Sequence, residues 1–170
     1  MKFRASVLLI FASTACFYAQ APSNISPAQL RAVIDLPRDE AVKLRETYKG
    51  PLKSAYTRQM ATTGKDCLDE INQGQQPYNI CMGSKEEQAD KDFAIFYNNL
   101  QMLCRDQDQL ATLQAFHAKW QVYKESAMKA TNAAWPDGTG APGFAIQVYL
   151  SLVRDHMREL HEIYGLNISQ

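Results

Sequence analysis

The sequence has no apolar run long enough to cross a membrane. Its longest apolar segment, from Ala5 to about Ala15, is shorter than the roughly 20 residues that a membrane-spanning helix needs. Two basic residues, Lys2 and Arg4, precede this segment and small residues follow it, which is the form of a secretory signal. We therefore predict a signal peptide over residues 1–21 and an exported protein, either periplasmic or secreted.

The point of signal cleavage stays open between two positions, after Ala15 and after Ala19. Cys16 follows Ser-Thr-Ala, which would allow a lipid anchor on that cysteine. The residue three positions before it is Ser13, however, where a lipidated cysteine usually has an aliphatic residue. A lipid anchor at Cys16 is therefore the less favoured alternative.

The chain also lacks an excess of basic residues. It has 18 Lys and Arg against 18 Asp and Glu, and removal of residues 1–21 takes two basic residues away, which leaves a net charge near −2. Proteins that bind phosphate backbones normally carry a basic stripe, so no nucleic acid partner is expected. The remaining chain of about 149 residues is long enough for one compact domain.

Alternation of apolar and polar residues, which is typical of β-strands, is absent. Apolar residues instead recur three and four positions apart in three segments, which predicts an all-α fold, a small helical bundle with three main helices. The residues expected to face inward are Phe93, Tyr97, Leu100, Leu113, Trp120, Tyr123, Val153 and Leu160.

Capping residues and helix breakers predict where the helices begin and end. Ser26 and Pro27 predict the start of a short N-terminal helix, and Gly50 with Pro51 is expected to end the next one. A capping box that begins at Ser84 predicts the start of the first main helix.

The same signals divide the chain. We predict an N-terminal helical extension over residues 22–65 and a compact helical domain over residues 66–165. The proline- and glycine-rich stretch 132–143 predicts an exposed loop between the second and third main helices.

Cysteine is scarce, with four residues, one of them in the signal region. Cys67 and Cys81 are separated by a turn-rich segment, which predicts a disulfide between them in an oxidising compartment. Their spacing excludes a C-x-x-C redox site, and a zinc site would need two further ligands that are not close in sequence. Cys104 lies on the apolar stripe of the first main helix and is expected to be a buried free thiol.

Residues with catalytic or metal-binding chemistry form no recognised motif. His156, Glu159 and His161 have no known zinc spacing, because two histidines five positions apart do not share a helix face. Neither a nucleophile elbow nor a glycine-rich phosphate loop occurs. No metal, cofactor or enzymatic activity is therefore expected.

Four motif blocks follow one another between residue 66 and Leu160. They are Q-x-x-Y-N-x-C (Gln75, Tyr78, Asn79, Cys81), A-D-x-x-F-x-x-x-Y-x-x-L (Ala89, Asp90, Phe93, Tyr97, Leu100), L-x(6)-W-x-x-Y-K-E (Leu113, Trp120, Tyr123, Lys124, Glu125) and Arg154 with Glu159 and Leu160. In order and spacing these blocks resemble the lysozyme-inhibitor LprI-like family. The resemblance implies an exported helical domain stabilised by disulfides, with inhibition of lysozyme by some members.

The chain departs from this family pattern at several positions. Tyr78 stands where methionine is usual, and Ala94 where asparagine is common. The family usually has a second cysteine pair, and here Met128 and, approximately, Val148 occupy those places. An apolar contact can replace that disulfide, so the implied fold does not depend on it.

Acidic residues cluster in the sequence around the predicted disulfide turn: Asp66, Asp69, Glu70, Glu86, Glu87, Asp90 and Asp92. Lysozymes are typically basic, so Glu86, Glu87 and Asp90 are candidates for attracting one. The leading hypothesis is an exported, non-catalytic envelope protein that binds and inhibits a lysozyme or binds another protein partner. The alternative is a structural or scaffolding module of the envelope without inhibitory activity.

Overall fold

The computed structural model describes residues 36–62 and 67–169, together with residues 28, 29 and 32. The predicted signal peptide, the lipid anchor at Cys16, the helix start at Ser26 and the division at Asp66 lie outside these residues. From residue 36 onward the described chain forms six helices and no strand: α1 (Arg38–Ala61), α2 (Leu68–Ile71), α3 (Gln75–Met102), α4 (Gln107–Ala134), α5 (Ala141–Ile163) and α6 (Gly165–Ser169). The predicted all-α bundle is confirmed.

The three main helices, α3, α4 and α5, pack together around one apolar core. α5 contacts both α3 and α4, and α1 packs along α3 and also touches α5. The residues predicted to face inward are buried in six cases, Tyr97, Leu100, Leu113, Trp120, Val153 and Leu160, while Phe93 is partly buried against them. None of the six helices is both long and apolar enough to cross a membrane.

The prediction that Tyr123 faces the core is wrong. Tyr123 is 60% exposed, and the neighbouring Val122 is 69% exposed. Trp120 is the last buried residue of α4, and beyond it Lys124, over the Tyr149 ring, and Met128, against the core, form the inward side of the helix. A helical pattern in the sequence identifies a face, but it does not fix which residues at the edge of that face are covered.

The helix that was expected to end at Gly50 and Pro51 continues through both residues. α1 runs without interruption from Arg38 to Ala61 and contains Pro51 in its interior. A proline removes one backbone N–H and disturbs one turn, which tertiary contacts can offset. Here Leu52 and Ala55, both fully buried, follow the proline and hold the second half of α1 against the core.

The first main helix begins nine residues before the predicted capping box. α3 starts at Gln75, directly after Gly74, whose φ of 119° is a left-handed conformation that favours glycine. Ser84 therefore lies inside the helix, and Cys81 is on its second turn rather than in a polar turn. Burial of Tyr78 and Met82 stabilises this early part of α3 beyond what its local sequence indicates.

The disulfide expected between Cys67 and Cys81 is present, with 5.9 Å between the two Cα atoms. It joins the short helix α2 to the beginning of α3. By the loop-entropy estimate, closing a loop of about 15 residues contributes roughly 3 kcal/mol to stability. Cys104 is a free thiol and is buried, as expected; burial, and then the charge of Asp106, raises its pKa to about 12.

A glycine determines how closely α5 approaches α3. A Cβ atom added to Gly143 would lie 2.4 Å from Cε1 of Tyr78, so only glycine fits there. The Tyr78 hydroxyl accepts a hydrogen bond from the Gln147 amide one turn further along α5. The start of α5 is therefore fixed against α3 by a steric and a polar contact.

An ion pair between the half-exposed Arg58 and a buried carboxylate joins α1 to α3. The Asp92 side chain is completely buried, and its Oδ1 accepts hydrogen bonds from Nε and Nη2 of Arg58 at 3.0 and 2.6 Å. The second oxygen, Oδ2, is buried without a hydrogen-bond partner among the described residues. Asp92 therefore does not belong to an acidic surface, and its inclusion in the predicted cluster is wrong.

We predict that Arg58→Ala lowers the free energy of unfolding by about 3 to 5 kcal/mol, because it leaves the Asp92 carboxylate buried and unpaired. The matched control is Arg158→Ala, which removes an exposed ion pair with Asp155 (3.2 Å) and should cost less than about 1 kcal/mol. Urea denaturation of both variants measures the difference. Equal, small losses would show that the Arg58 pair does not contribute to the core.

Candidate functional site

The end of the bundle that carries the disulfide exposes three large aliphatic side chains. Leu68 and Ile71 of α2 are each 48% exposed, and Ile80 of α3 is 64% exposed. Leu68 and Ile80 each lie next to a bridged cysteine, so the disulfide holds both helices at this end. We call Leu68, Ile71, Ile80, Thr139 and Pro142 the disulfide-end surface.

A shallow groove of about 410 Å³ runs across this surface between α3 and the start of α5. Ile80 and Pro142 form its apolar wall, and amide side chains form its rim. The Asn79 amide donates to the carbonyl oxygen of Thr139 at 2.9 Å, and the Gln75 amide lies 3.0 Å from Oδ1 of Asn79. These two residues of the first motif block therefore hold the loop that closes the groove.

The three acidic residues predicted to attract a partner lie further along α3, in different environments. Glu87 is freely exposed, at 76%, and its carboxylate is 3.7 Å from Lys91. Burial, and then the charge of Asp90, raises the pKa of the half-buried Glu86. Asp90 accepts a hydrogen bond from the Tyr149 hydroxyl of α5. Glu87 is therefore the member most available to a partner.

Glu87 shares a helix face with the disulfide-end surface. Ile80, Ser84, Glu87 and Lys91 recur four, three and four residues apart, and all four are exposed. Seven residues of α-helix separate Ile80 from Glu87 by about 10 Å. Of the other predicted acids, Asp69 is exposed on α2, while Glu70 has a buried carboxylate oxygen and contributes less to this surface.

A cluster of aromatic and histidine rings lies where α3, α4 and α5 meet. We call it the ring cluster: Phe93, Tyr97, Phe116, His117, Trp120 and His156. Trp120 and His156 are stacked almost in parallel, 4.1 Å apart at an angle of 6°. Phe93 stacks on both rings, at 5.4 Å from Trp120 and 5.8 Å from His156.

The two histidines of the ring cluster are joined by a direct hydrogen bond. Nε2 of the Gln121 amide lies 3.0 Å from Nε2 of His117, and Nδ1 of His117 lies 3.2 Å from Nε2 of His156. An amide nitrogen only donates, so His117 accepts at Nε2 and donates its Nδ1 proton to His156. The proton of His156 is then on its own Nδ1, which is buried without a partner among the described residues.

Both histidines are neutral at physiological pH. Burial, and then the charge of Lys124, lowers the pKa of His117 to about 4. Burial, followed by His117 and Lys124, lowers the pKa of His156 to about 3. The Glu159 carboxylate, 3.8 Å from Nδ1 of His156, therefore does not form an ion pair with it at neutral pH.

Lys124 covers the ring cluster on the side that faces Asp90. Its ammonium group lies 5.0 Å from the centre of the Trp120 ring and 5.4 Å from that of Tyr149. Burial lowers the pKa of Lys124, while the charges of Asp90 and Glu125 act in the opposite direction. One cation, Lys124, and two acids, Asp90 and Glu125, therefore lie on the outer side of the aromatic rings.

The described residues contain no group of three side chains that could hold a metal ion. His156 is buried in the ring cluster, whereas His161 stacks on Tyr56 of α1 at 4.3 Å. The two histidines therefore lie on different faces of α5, as their spacing predicts.

The remaining motif residues have structural positions. Ala89, Leu100 and Leu160 are fully buried in the core. Arg154 is half-buried, and its Nε has no hydrogen-bond partner within the described part of the chain. Most residues of the four blocks thus serve helix packing, and Tyr78, Asn79 and Asp90 also form hydrogen bonds between elements.

Sequence reasoning missed two features of this region. His117 lies three residues before Trp120, and His156 lies on the stripe of Val153 and Leu160, so their spacing could have placed both inside. The contact between Arg58 and Asp92 has no such signal, because 34 residues separate the two.

No protein-family model matches this chain, and no curated protein or solved structure matches it either. The resemblance to the LprI-like family has no support from these comparisons and stays a prediction.

We predict that stability falls as the pH drops below 6.5. Each histidine that stays neutral in the folded protein but is protonated in the unfolded chain lowers the free energy of unfolding by about 1.4 kcal/mol per pH unit. The loss should begin near pH 6.5, the ordinary histidine value, and continue towards the lowered pKa values of about 4 and about 3.

Urea denaturation between about pH 7.5 and about pH 5 measures this loss, and the variant His117→Gln should reduce its slope because it removes one of the two groups. NMR titration of the histidine rings gives an independent check. Titration of both His117 and His156 near pH 6.5 would contradict the buried neutral pair.

Proposed function

We propose that this protein is an exported, non-catalytic binding module that engages a basic protein partner through the disulfide-end surface and Glu87. A lysozyme is the leading candidate for the partner, on the basis of the motif blocks. The observation that carries the proposal is the grouping of exposed aliphatic side chains at one end of the bundle, with an exposed acid on the same helix face.

The composition of this surface supports protein binding. Interfaces combine an apolar centre with a polar rim, and the exposed Leu68, Ile71 and Ile80 supply such a centre. The Gln75 and Asn79 amides at the rim can pair with a partner backbone. Because the disulfide and the bonds to Thr139 hold these groups in place, binding does not have to order them.

The charge at this surface supports a basic partner over an acidic one. Asp69 is exposed on α2, and Glu86, Glu87 and Asp90 follow further along α3. Opposite charge increases the rate of encounter and suppresses wrong partners. The disulfide itself supports export, because disulfides persist in oxidising compartments.

The proposal predicts that the oxidised protein slows the hydrolysis of peptidoglycan by a basic lysozyme. Ile80→Ser and Glu87→Lys should each weaken inhibition about tenfold, since each removes a contact worth about 1.4 kcal/mol. The effect of Glu87 should shrink as salt reduces the Debye length to about 3 Å at 1 M.

Matched controls separate this surface from general effects. Val122→Ser removes an equally exposed aliphatic side chain from α4, and Asp155→Lys makes the same charge change on α5 at an exposed acid. Both should inhibit like the unchanged protein. Full lysozyme activity at a large molar excess of oxidised protein, across several lysozyme types, would contradict inhibition.

A scaffolding function is the second candidate, favoured by exposed apolar side chains that do not belong to the disulfide-end surface. Val122 and Tyr123 are exposed on α4. Trp135 is 54% exposed, and its ring packs on that of Phe144 at a separation of 4.9 Å. A scaffold would retain its envelope partner in a pull-down of the Ile80→Ser variant and lose it when Val122 and Tyr123 are replaced with serine.

A further inference from the structure

A basic cleft lies at the other end of α3, away from the disulfide. It is a cavity of about 470 Å³ where the first half of α1 meets the link between α3 and α4 and the short helix α6. Four cationic side chains line it, Arg38, Arg45, Lys49 and Arg105, against a single acid, Glu46. The cleft therefore carries an excess of positive charge in a chain whose overall charge is balanced.

The spacing of α1 concentrates these charges on one helix face. Arg38, Arg45 and Lys49 recur seven and four residues apart, which places them on the same side of the helix. Arg105 faces them from the link between α3 and α4. No residue of α1 before Lys49 is buried, so this half of the helix borders the cleft, although Tyr48 packs against the edge of the core.

Three of the four cations have unused hydrogen-bonding capacity. Lys49 is paired with Glu46 and is only 5% exposed. Nε of Arg45, by contrast, is buried and has no hydrogen-bond partner in the described part of the chain. The side chains of Arg38 and Arg105 form no ion pair or hydrogen bond with any described residue. Arg38 and Arg105 are exposed to solvent, whereas buried donors normally have partners, so it is the Nε of Arg45 that lacks an acceptor in the cleft.

We propose that this cleft binds an anionic group of the phosphate class, one with several acceptor oxygens. The planar fork of a guanidinium group matches phosphate oxygens in a bidentate manner, and three such groups converge here. The positive end of the α1 dipole adds to their attraction. A phosphate-class anion satisfies the free donors of Arg45 and offsets the repulsion among the cations.

The size and walls of the cleft indicate that the phosphate belongs to a larger molecule. The volume of about 470 Å³ falls in the range of small-molecule sites, about 300 to 1,000 Å³, and exceeds what one phosphate fills. Leu36, Val42 and Leu103 supply an apolar wall beside the cations. The ligand is therefore a phosphate ester with an apolar part, either a soluble compound or the headgroup region of an anionic lipid.

Two binding experiments distinguish these sources. Calorimetric titration of the oxidised protein with inorganic phosphate and with pyrophosphate, at fixed ionic strength, tests the soluble anion. Flotation with vesicles of phosphatidylcholine, with and without phosphatidylglycerol, tests the lipid headgroup. Saturable binding in either experiment supports the site and identifies the source, whereas the absence of binding in both overturns it.

Variants of the cleft test its location. Arg45→Gln and Arg105→Gln should each weaken binding by about tenfold or more, which is the loss expected for a hydrogen bond to a charged group. Glu46→Gln removes the one opposing charge and should strengthen binding. The control Lys129→Gln removes a cation from the exposed surface of α4 and should leave binding unchanged. If Lys129→Gln weakens binding as much as Arg45→Gln does, the attraction is general and the cleft is not a site.

Discussion

The bundle depends on the ring cluster, because α3 and α4 have few close backbone approaches. Phe93 of α3 stacks on His117 and Trp120 of α4, and Tyr97 of α3 contacts His117, at ring separations between 4.2 and 5.4 Å. His156 of α5 completes the contact by lying parallel to Trp120. Contacts between rings thus replace the ridges-into-grooves packing that is found between closely spaced helices. Beyond Trp120, Lys124 and Met128 are the α4 residues that contact the bundle, and Val122 and Tyr123 lie on the exposed side of the helix.

The core also contains buried polar groups. A buried carboxylate or an unpartnered ring N–H costs free energy, and Asp92 and His156 each retain one such atom. Both lie at a junction of helices, Asp92 between α3 and α1 and His156 between α5 and α4. Polar contacts of this kind define one arrangement of neighbouring helices, since a shifted helix would leave further groups unpaired. Neutrality of the histidine pair is part of the same constraint, because a charge on either ring would lie among aromatic rings beside Lys124.

Periodicity alone predicted the helical class, the three main helices and most of the core, since burial of Leu100, Leu113, Val153 and Leu160 follows from spacing on one helix face. Helix ends were less predictable. Pro51 and Ser84 carry local signals for a boundary, yet packing of Leu52 and Met82 outweighs them. Of the candidate site residues, Cys67 and Cys81 form the predicted disulfide and Glu87 is exposed, but Asp92 is buried, and the groove at Pro142 could not be anticipated. Its walls come from segments about 60 residues apart, joined by the Asn79 bond to Thr139.

The two ends of α3 therefore present surfaces of opposite character, one apolar and acidic beside the disulfide and one basic beside α1. Both positions depend on the bundle being held together by the ring cluster, and one pair of tryptophan variants tests that dependence most directly. Trp120→Ala should lower the free energy of unfolding by about 3 to 5 kcal/mol, because it leaves a cavity between α3, α4 and α5. Trp135→Ala removes the same side chain from a position that is 54% exposed and should cost less than about 1 kcal/mol. Equal, small losses for the two variants in urea denaturation would contradict the central position of the ring cluster.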